Sequence, residues 1–146
     1  MQLCKINRPA KLADTTMLTK IEINAPITKV FNLSLDKARF KEWKKDFVGY
    51  EPVSSAPAQQ GAVTKLNYRK YAMIETILTM EEPRSYTASY AHIHSDRTML
   101  VHTAANTFTA LDDNRTLVEV DARITKVNNF LMKIMVRLMA SADFYE

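Results

Sequence analysis

All three histidines of the chain lie in one short stretch, AHIHSDRTMLVH, at His92, His94 and His102. Imidazole nitrogens are common ligands of zinc and other transition metals, so histidines that fold close together are candidate metal ligands. The same residues are compatible with two neighbouring strands that carry histidine side chains, because the SDR segment between them is typical of a tight turn. Whether the histidines can bind a metal together therefore depends on how the two strands pair.

A shift of one residue in that pairing decides whether two of the histidines meet, because successive side chains of a strand point to opposite faces. A three-residue turn at residues 96 to 98 would place His92 directly opposite His102 on one face. A two-residue turn at residues 96 and 97 would place His92 opposite Val101 and point His102 the other way. Both registers are compatible with the sequence.

A metal site needs a third or fourth protein ligand besides the two histidines. The single cysteine, Cys4, is far away in the sequence, and the amide of Asn106 is a poor ligand for zinc. We therefore predict no metal site and no cofactor. The histidines then either line a ligand cavity or are ordinary strand residues that are hydrogen-bonded or exposed.

Several side chains have the chemistry to move protons at an enolisable carbonyl: His102, His92, Tyr90 and Glu75. Glu75 interrupts the apolar run AMIETIL, where a buried carboxylate could act as a base. The simpler interpretation, which we favour, is that Glu75 points to solvent. The sequence contains no phosphate-binding loop, nucleophile elbow or metalloprotease motif. The catalytic candidates are therefore limited to His102, Tyr90 and Glu75.

Length and charge narrow the class of protein. The chain has 146 residues, which is enough for one domain with its own core. Its net charge is +4, but the positive charges are scattered and match no nucleic-acid-binding motif, so we expect no nucleic-acid partner.

The cysteine content and the hydropathy pattern bear on localisation. One cysteine cannot form an internal disulfide and is compatible with a reducing compartment. No apolar run approaches the roughly 18 residues of a membrane span, so we expect a cytoplasmic protein without integral membrane contact.

The elements that would position these groups follow from periodicity and turn residues. Residues 17 to 25 alternate like a half-buried strand, which ends at Pro26. Two short helices follow: Phe31 lies in the first, and Phe40 and Trp43 share one face of the second, whose run RFKEWKK we interpret as a solvated face. Six strands joined by short turns then indicate an antiparallel sheet. The C-terminal stretch NNFLMKIMVRLMASADFYE has an apolar face at helical spacing and predicts a long amphipathic helix.

Three ordered segments carry a resemblance to a known superfamily. The first, INAPITKVFNLSLDKARFKEW, has a strand, the pair Ala25 and Pro26, an aromatic at Phe31, and then Asp36 and Trp43. The second, GAVTKLNYRKYAMIETILTMEEPRSYTASY, has a Gly-led strand, a strand that ends in a Pro-containing turn, and a strand with tyrosines. The third, TFTALDDNRTLVEV, has an acidic turn before a Thr-led strand. Over most of the chain this order resembles the START-like (SRPBCC) helix-grip superfamily, close to the polyketide cyclase/dehydrase-type branch with the Bet v 1-like fold.

The resemblance implies an α+β helix-grip fold. Such a fold has a curved antiparallel sheet, here of about seven strands, wrapped around a long C-terminal helix, with two short helices after the first strand. Residues 1 to 16 have no counterpart in the pattern, so we assign them to a tail or extra segment. Residues 17 to 146 form the helix-grip domain.

The resemblance also implies a cavity between the sheet and the C-terminal helix. We expect it to bind a small hydrophobic or aromatic ligand, either a lipid or a polyketide-like molecule, in a monomer or homodimer. A cyclase, aromatase or dehydratase that uses tyrosine and histidine in the same cavity is the alternative, and a co-chaperone-like interaction module is the third. Between a binding protein and an enzyme we favour the binding protein. Strand parity and the resemblance together predict these ligand-binding residues: Tyr68, Tyr90, His92, His102, Asn106, Phe108, Met135 and Leu138.

Overall fold

The structure, a computed structural model, describes residues 16 to 54, 58 to 128, 130, 133 and 134. The elements are β1 (Thr16–Ile23), α1 (Ile27–Leu35), a 3-10 helix called here the short helix (Lys37–Glu42), β2 (Phe47–Pro52), β3 (Val63–Tyr68), β4 (Ala72–Glu81), β5 (Ser85–His94), β6 (Arg97–Asp112) and β7 (Arg115–Val127). The seven strands form one antiparallel sheet, as predicted, and their order in it is β1-β7-β6-β5-β4-β3-β2. Two short helices lie between the first and second strands, which confirms the predicted α+β architecture.

Local chemistry sets the boundaries of the two helices. Pro26 precedes α1 with φ at −59°, close to the value that the first turn of a helix requires. Asp36 ends α1 in an extended conformation and starts the short helix, because its carboxylate accepts a hydrogen bond from the backbone N–H of Ala38 at 3.2 Å. The two helices follow one another directly, and α1 contacts β6 and β7 while the short helix contacts β2.

The larger part of the core lies between α1 and the strands beneath it. Phe31 is buried, and its ring meets the rings of Phe108 at 5.3 Å and Tyr86 at 6.1 Å, both edge to face. Val30 and Leu35 are buried on the same side of α1. The residues of α1 that face the sheet therefore fix where one end of the sheet is covered.

A second apolar cluster lies beneath the short helix. Phe40 is 1% exposed and packs against Phe47, with ring centroids 5.5 Å apart, and Leu66 and Met73 complete the cluster. This cluster attaches the short helix to the β2-β3-β4 side of the sheet. As a result, side chains of the short helix reach the same sheet face that α1 covers.

The predicted C-terminal helix, with Met135 and Leu138, falls almost entirely outside the described residues, as does the predicted tail up to residue 15. Both remain predictions. Within the part of the chain that is described, none of the helices combines the length and the apolar character needed to cross a membrane.

We expect Phe31→Ala to lower the free energy of unfolding by about 3–5 kcal/mol, because it removes a buried ring from the contact between α1 and the sheet. Urea unfolding measures the change. Val48→Ala is the control, since Val48 is half exposed and should change stability by less than about 1 kcal/mol. Equal losses in the two variants would contradict the assigned core.

Candidate ligand-binding cavity

The face of the sheet beneath α1 and the short helix encloses one side of a cavity of about 540 Å³. Strands β1, β4, β5, β6 and β7 form its floor, and the two helices form its rim. Most of the lining is apolar, and a few polar groups lie among the apolar side chains. The described lining residues are Ile21, Ile23, Val30, Leu33, Ser34, Phe40, Trp43, Lys44, Glu75, Tyr86, Tyr90, Ala104, Asn106, Phe108, Val118 and Val120.

Glu75 lies on this cavity wall and not in solvent, so the favoured prediction that it is exposed was wrong. In β4 the buried residues alternate, and Glu75 has the same parity as Met73 and Ile77. Only 2% of the residue is exposed. A carboxylate can remain there because a cation, not identified from the sequence, comes from the short helix.

That cation is Lys37. Its Nζ lies 2.6 Å from Oε1 of Glu75, and both side chains are 2% exposed. The contact is an ion pair, but its geometry is not that of an aligned hydrogen bond, and neither atom has an aligned partner among the described residues. Removing two charges from water is costly, and the mutual attraction offsets that cost only while both partners are present. Lys37 therefore holds the Glu75 carboxylate at the cavity wall.

Two tyrosines on β5 bring hydroxyl groups to the same cavity. Burial, followed by the negative charge of Glu75, raises the pKa of Tyr90 well above its ordinary value. Burial also raises the pKa of Tyr86 to about 12. Both hydroxyls therefore stay protonated at neutral pH, with that of Tyr90 beside Glu75 and that of Tyr86 beside Ser34.

Lys44, just after the short helix, adds a second cation to the lining. Its Nζ lies 4.3 Å from the ring centroid of Phe40 and 5.1 Å from that of Trp43. Burial, followed by the charge of Lys37, lowers the pKa of Lys44 to about 8. Lys44 is half-buried, so the interpretation of the whole RFKEWKK run as solvated was wrong at this position.

Asn106 and Phe108 on β6 both lie on the cavity wall, where strand parity placed them. Phe108 is 4% exposed and forms apolar wall. The side-chain amide of Asn106 donates to the backbone carbonyls of Tyr86 at 3.4 Å and Ala104 at 3.3 Å. These bonds fix the amide and leave its oxygen as the group available to a ligand. The role of both residues in binding remains a prediction.

His92 and His102 do share a face, but through neither predicted register. The turn between β5 and β6 is at Ser95 and Asp96, both with positive φ, and it pairs His94 with Arg97. A bulge next to His92 then adds one residue to β6, so His102 lies opposite Tyr90. The histidines end up as diagonal neighbours, with Nε2 of His92 3.1 Å from Nδ1 of His102.

These two histidines belong to an aromatic stack beside the cavity and are not among its described lining residues. His102 stacks on Tyr90 with ring centroids 5.0 Å apart, and His92 stacks on Tyr71 at 5.7 Å. Burial, and then the neighbouring His92, lowers the pKa of His102 to about 4, and burial lowers the pKa of His92. Both rings are therefore neutral at pH 7.

The third histidine and the remaining predicted residues lie elsewhere. His94 is exposed and its Nδ1 lies 3.2 Å from the backbone oxygen of Lys70. Tyr68 packs between Phe47 and Tyr71, with ring centroids 5.5 and 4.9 Å away, and is not among the described lining residues.

Among the residues that the structure describes, no three His, Cys, Asp or Glu side chains come close enough together to hold a metal ion.

Sequence reasoning missed Lys37 and Lys44, although their spacing held a signal. Both flank Phe40, at positions three before and four after it, and such positions share one face of a helix. Phe40 is 1% exposed and faces the core. A cation on the core side of a helix needs a buried anion, and Glu75 was the acidic residue that interrupted an apolar strand.

Removing one member of the Lys37–Glu75 pair should be costly. We expect Lys37→Met and Glu75→Leu each to lower the free energy of unfolding by about 3–5 kcal/mol, because each leaves an uncompensated buried charge. The double variant should lose much less than the sum of the two, which urea unfolding of all four proteins would measure. The exposed pair Arg39 and Glu42 provides the control cycle and should show little coupling. Additive losses at Lys37 and Glu75 would contradict the buried pair.

The comparisons with known proteins concern the fold. No family profile matches the sequence, and a search of curated proteins finds no relative of it. Among solved structures, CalU16 from Micromonospora echinospora is 18% identical with a TM-score of 0.55, over 86% of this chain and 70% of that one. A START superfamily protein from Mycobacterium smegmatis is 12% identical with a TM-score of 0.60, and the match covers 86% of this chain and 92% of that protein. Ara h 8.0201 is 11% identical with a TM-score of 0.60, and the match covers 86% of this chain and 97% of that protein. Likeness at such low identity is a likeness of fold, and the chain therefore has the START-like, helix-grip fold.

Proposed function

We propose that this protein binds a small hydrophobic or aromatic molecule, either a lipid or a polyketide-like compound, between the sheet and the C-terminal helix. The observation that carries the proposal is the cavity itself, with about 540 Å³ of space and polar groups among mostly apolar walls. Ligand sites in proteins typically have volumes of roughly 300–1,000 Å³ and combine apolar walls with a few placed polar groups. We further propose that the protein acts in the cytoplasm, as a monomer or homodimer.

The apolar wall supplies the driving force for such binding. Val30 and Leu33 from α1 face the cavity together with Phe108 and Val118 from the sheet. Burying apolar ligand surface against such side chains yields about 25 cal/mol per Å², before the losses of motion that association brings. A ligand with a flat or extended apolar body fits this requirement.

The polar groups would orient the ligand. Glu75 places a carboxylate on the wall, and the hydroxyls of Tyr86 and Tyr90 are protonated at neutral pH. Because these groups come from neighbouring strands β4 and β5, they act on one region of the cavity. The ligand would therefore bind with its polar group toward β4 and β5.

The shared fold supports this proposal. One solved structure with the same fold is described as a START superfamily protein. The sequence resemblance to the polyketide cyclase/dehydrase-type branch points to the same class of apolar ligands.

Filling the cavity with a larger side chain should weaken ligand binding. Ala104 lies on the cavity wall and is 6% exposed, so Ala104→Phe would place a ring in the ligand space. We expect this variant to bind the neutral dye N-phenylnaphthylamine at least tenfold more weakly than the original protein, measured by dye fluorescence. Ala105→Phe is the matched control, because the adjacent residue of the same strand points to the other face. Equal binding by both variants, or no binding by the original protein, would overturn the proposal.

An enzyme of the cyclase, aromatase or dehydratase type is a second candidate, and a specific observation favours it. Glu75 and Tyr90 place a carboxylate and a hydroxyl in one cavity, which is a pair that can remove and return protons. The histidines that were predicted to do this lie beside the cavity. If a reaction occurs here, Tyr90 and Glu75 are therefore the groups to test.

The variant Tyr90→Phe separates the two candidates, because it removes the hydroxyl and keeps the ring that stacks on His102. A binding protein should retain dye affinity within about threefold and should convert no linear polyketide analogue in either form. An enzyme should convert such an analogue, and the variant should lose roughly a hundredfold or more of that rate while it still binds. The measurements are dye titration and chromatography of the incubated analogue.

A further inference from the structure

We infer that the bound ligand is a carboxylic acid whose ionised head pairs with Lys44, while its apolar body lies against the sheet. This inference deepens the proposed function and rests on it. It assigns a specific task to a side chain that is not part of the ion pair between Lys37 and Glu75.

The charges around the cavity do not balance. Two ammonium groups, on Lys37 and Lys44, and one carboxylate, on Glu75, occupy this region. Lys37 and Glu75 form the buried ion pair, so their charges compensate each other. Lys44 forms no ion pair with any carboxylate in the described ranges. One positive charge is therefore left over at the cavity wall.

The surroundings of Lys44 make that charge available to a ligand. Its Nζ lies over the faces of Phe40 and Trp43, both of which also line the cavity. Such aromatic contacts stabilise a cation but supply no counter-charge and no hydrogen-bond acceptor of ordinary strength. A ligand carboxylate can supply both, in a partly dehydrated site where ionic interactions are stronger than in water.

The low pKa of Lys44 agrees with this geometry. Burial and the charge of Lys37 reduce it to about 8, and Glu75 opposes that reduction. An anion bound beside Nζ would raise the pKa again, and by linkage the anion binds more tightly while Lys44 is protonated. The titratable groups that face this region are Lys37, Glu75, Tyr86, Tyr90 and Lys44 itself.

A monoanionic carboxylate fits better than a phosphate. A phosphate ester carries up to two negative charges and is usually held by several cations or backbone donors. Here only one cation is uncompensated, so a second negative charge on the ligand would have no cation to pair with. The remaining lining is mostly apolar, which suits the body of a fatty or aromatic acid.

The test compares three probes with the same chain length: dodecanoic acid, dodecanol and dodecylamine. Trp43 is the only tryptophan of the chain and lines the cavity, so its fluorescence reports occupancy directly. At about pH 6.5, below the pKa of Lys44, we expect the acid to bind roughly tenfold or more tightly than the alcohol, and the amine to bind most weakly. The preference for the acid should decline as the pH is raised through 8, because Lys44 loses its proton.

Two variants of Lys44 isolate its charge. Lys44→Met keeps an unbranched apolar stem and should lose the preference, so that it binds acid and alcohol about equally. Lys44→Arg should keep the acid preference above pH 8, because a guanidinium does not titrate there. Lys41→Met, an exposed lysine of the short helix, is the charge-matched control and should behave like the original protein.

The outcomes separate this inference from the proposed function. If acid and alcohol bind equally in the original protein, or if the amine binds best, the carboxylate assignment is wrong and the binding function stands. If Lys44→Met loses the acid and the alcohol alike, Lys44 has a structural role and the inference is overturned. If none of the three probes binds and N-phenylnaphthylamine does not bind either, the proposed function itself fails.

Discussion

The contact between Lys37 and Glu75 determines how this end of the molecule is organised. A carboxylate on the covered face of a sheet is tolerated only beside a cation, since an isolated buried charge would cost more than the fold can supply. The ammonium group comes from the short helix and the carboxylate from β4. The pair therefore fixes the short helix over β4, and with it the positions of Phe40, Trp43 and Lys44 at the cavity rim.

The same ion pair gives the cavity its polarity. It places a carboxylate at the wall, beside the protonated hydroxyl of Tyr90, and its charges cancel. Lys44 is left as the uncompensated cation at the rim. A mostly apolar cavity with a few polar groups and one uncompensated positive charge is suited to an amphiphilic molecule with a single polar head, and it offers few contacts to a highly charged one.

Much of the fold could be predicted from the sequence, because it depends on simple alternation. Pro26, the capping residue Asp36 and the short turns mark where elements begin and end, and Phe108 identified the inner face of β6. Strand parity shows which face of the sheet a side chain lies on, however, and not how far along the strand it lies. His102 has the same parity as Phe108 but lies six residues away along a long strand, which is about 20 Å. It therefore packs beside the cavity and not in it.

The errors came from interactions between elements that are remote in sequence. When β4 is considered alone, a carboxylate at Glu75 is expected to be exposed. Its burial is possible because Lys37, from a different element, forms an ion pair with it. The pairing of β5 with β6 depends on a bulge, which adds one residue and leaves no clear mark in the sequence. Turn length alone therefore could not give the contact between His92 and His102.

Native mass spectrometry of the protein purified from its own cells tests the central claim most directly, that the cavity holds a small organic molecule. We expect one added mass per chain, released on denaturation and identified in the extract as an apolar compound with a single acidic head. A bare chain in the gentlest conditions, or an added mass that proves to be a metal ion, would contradict it.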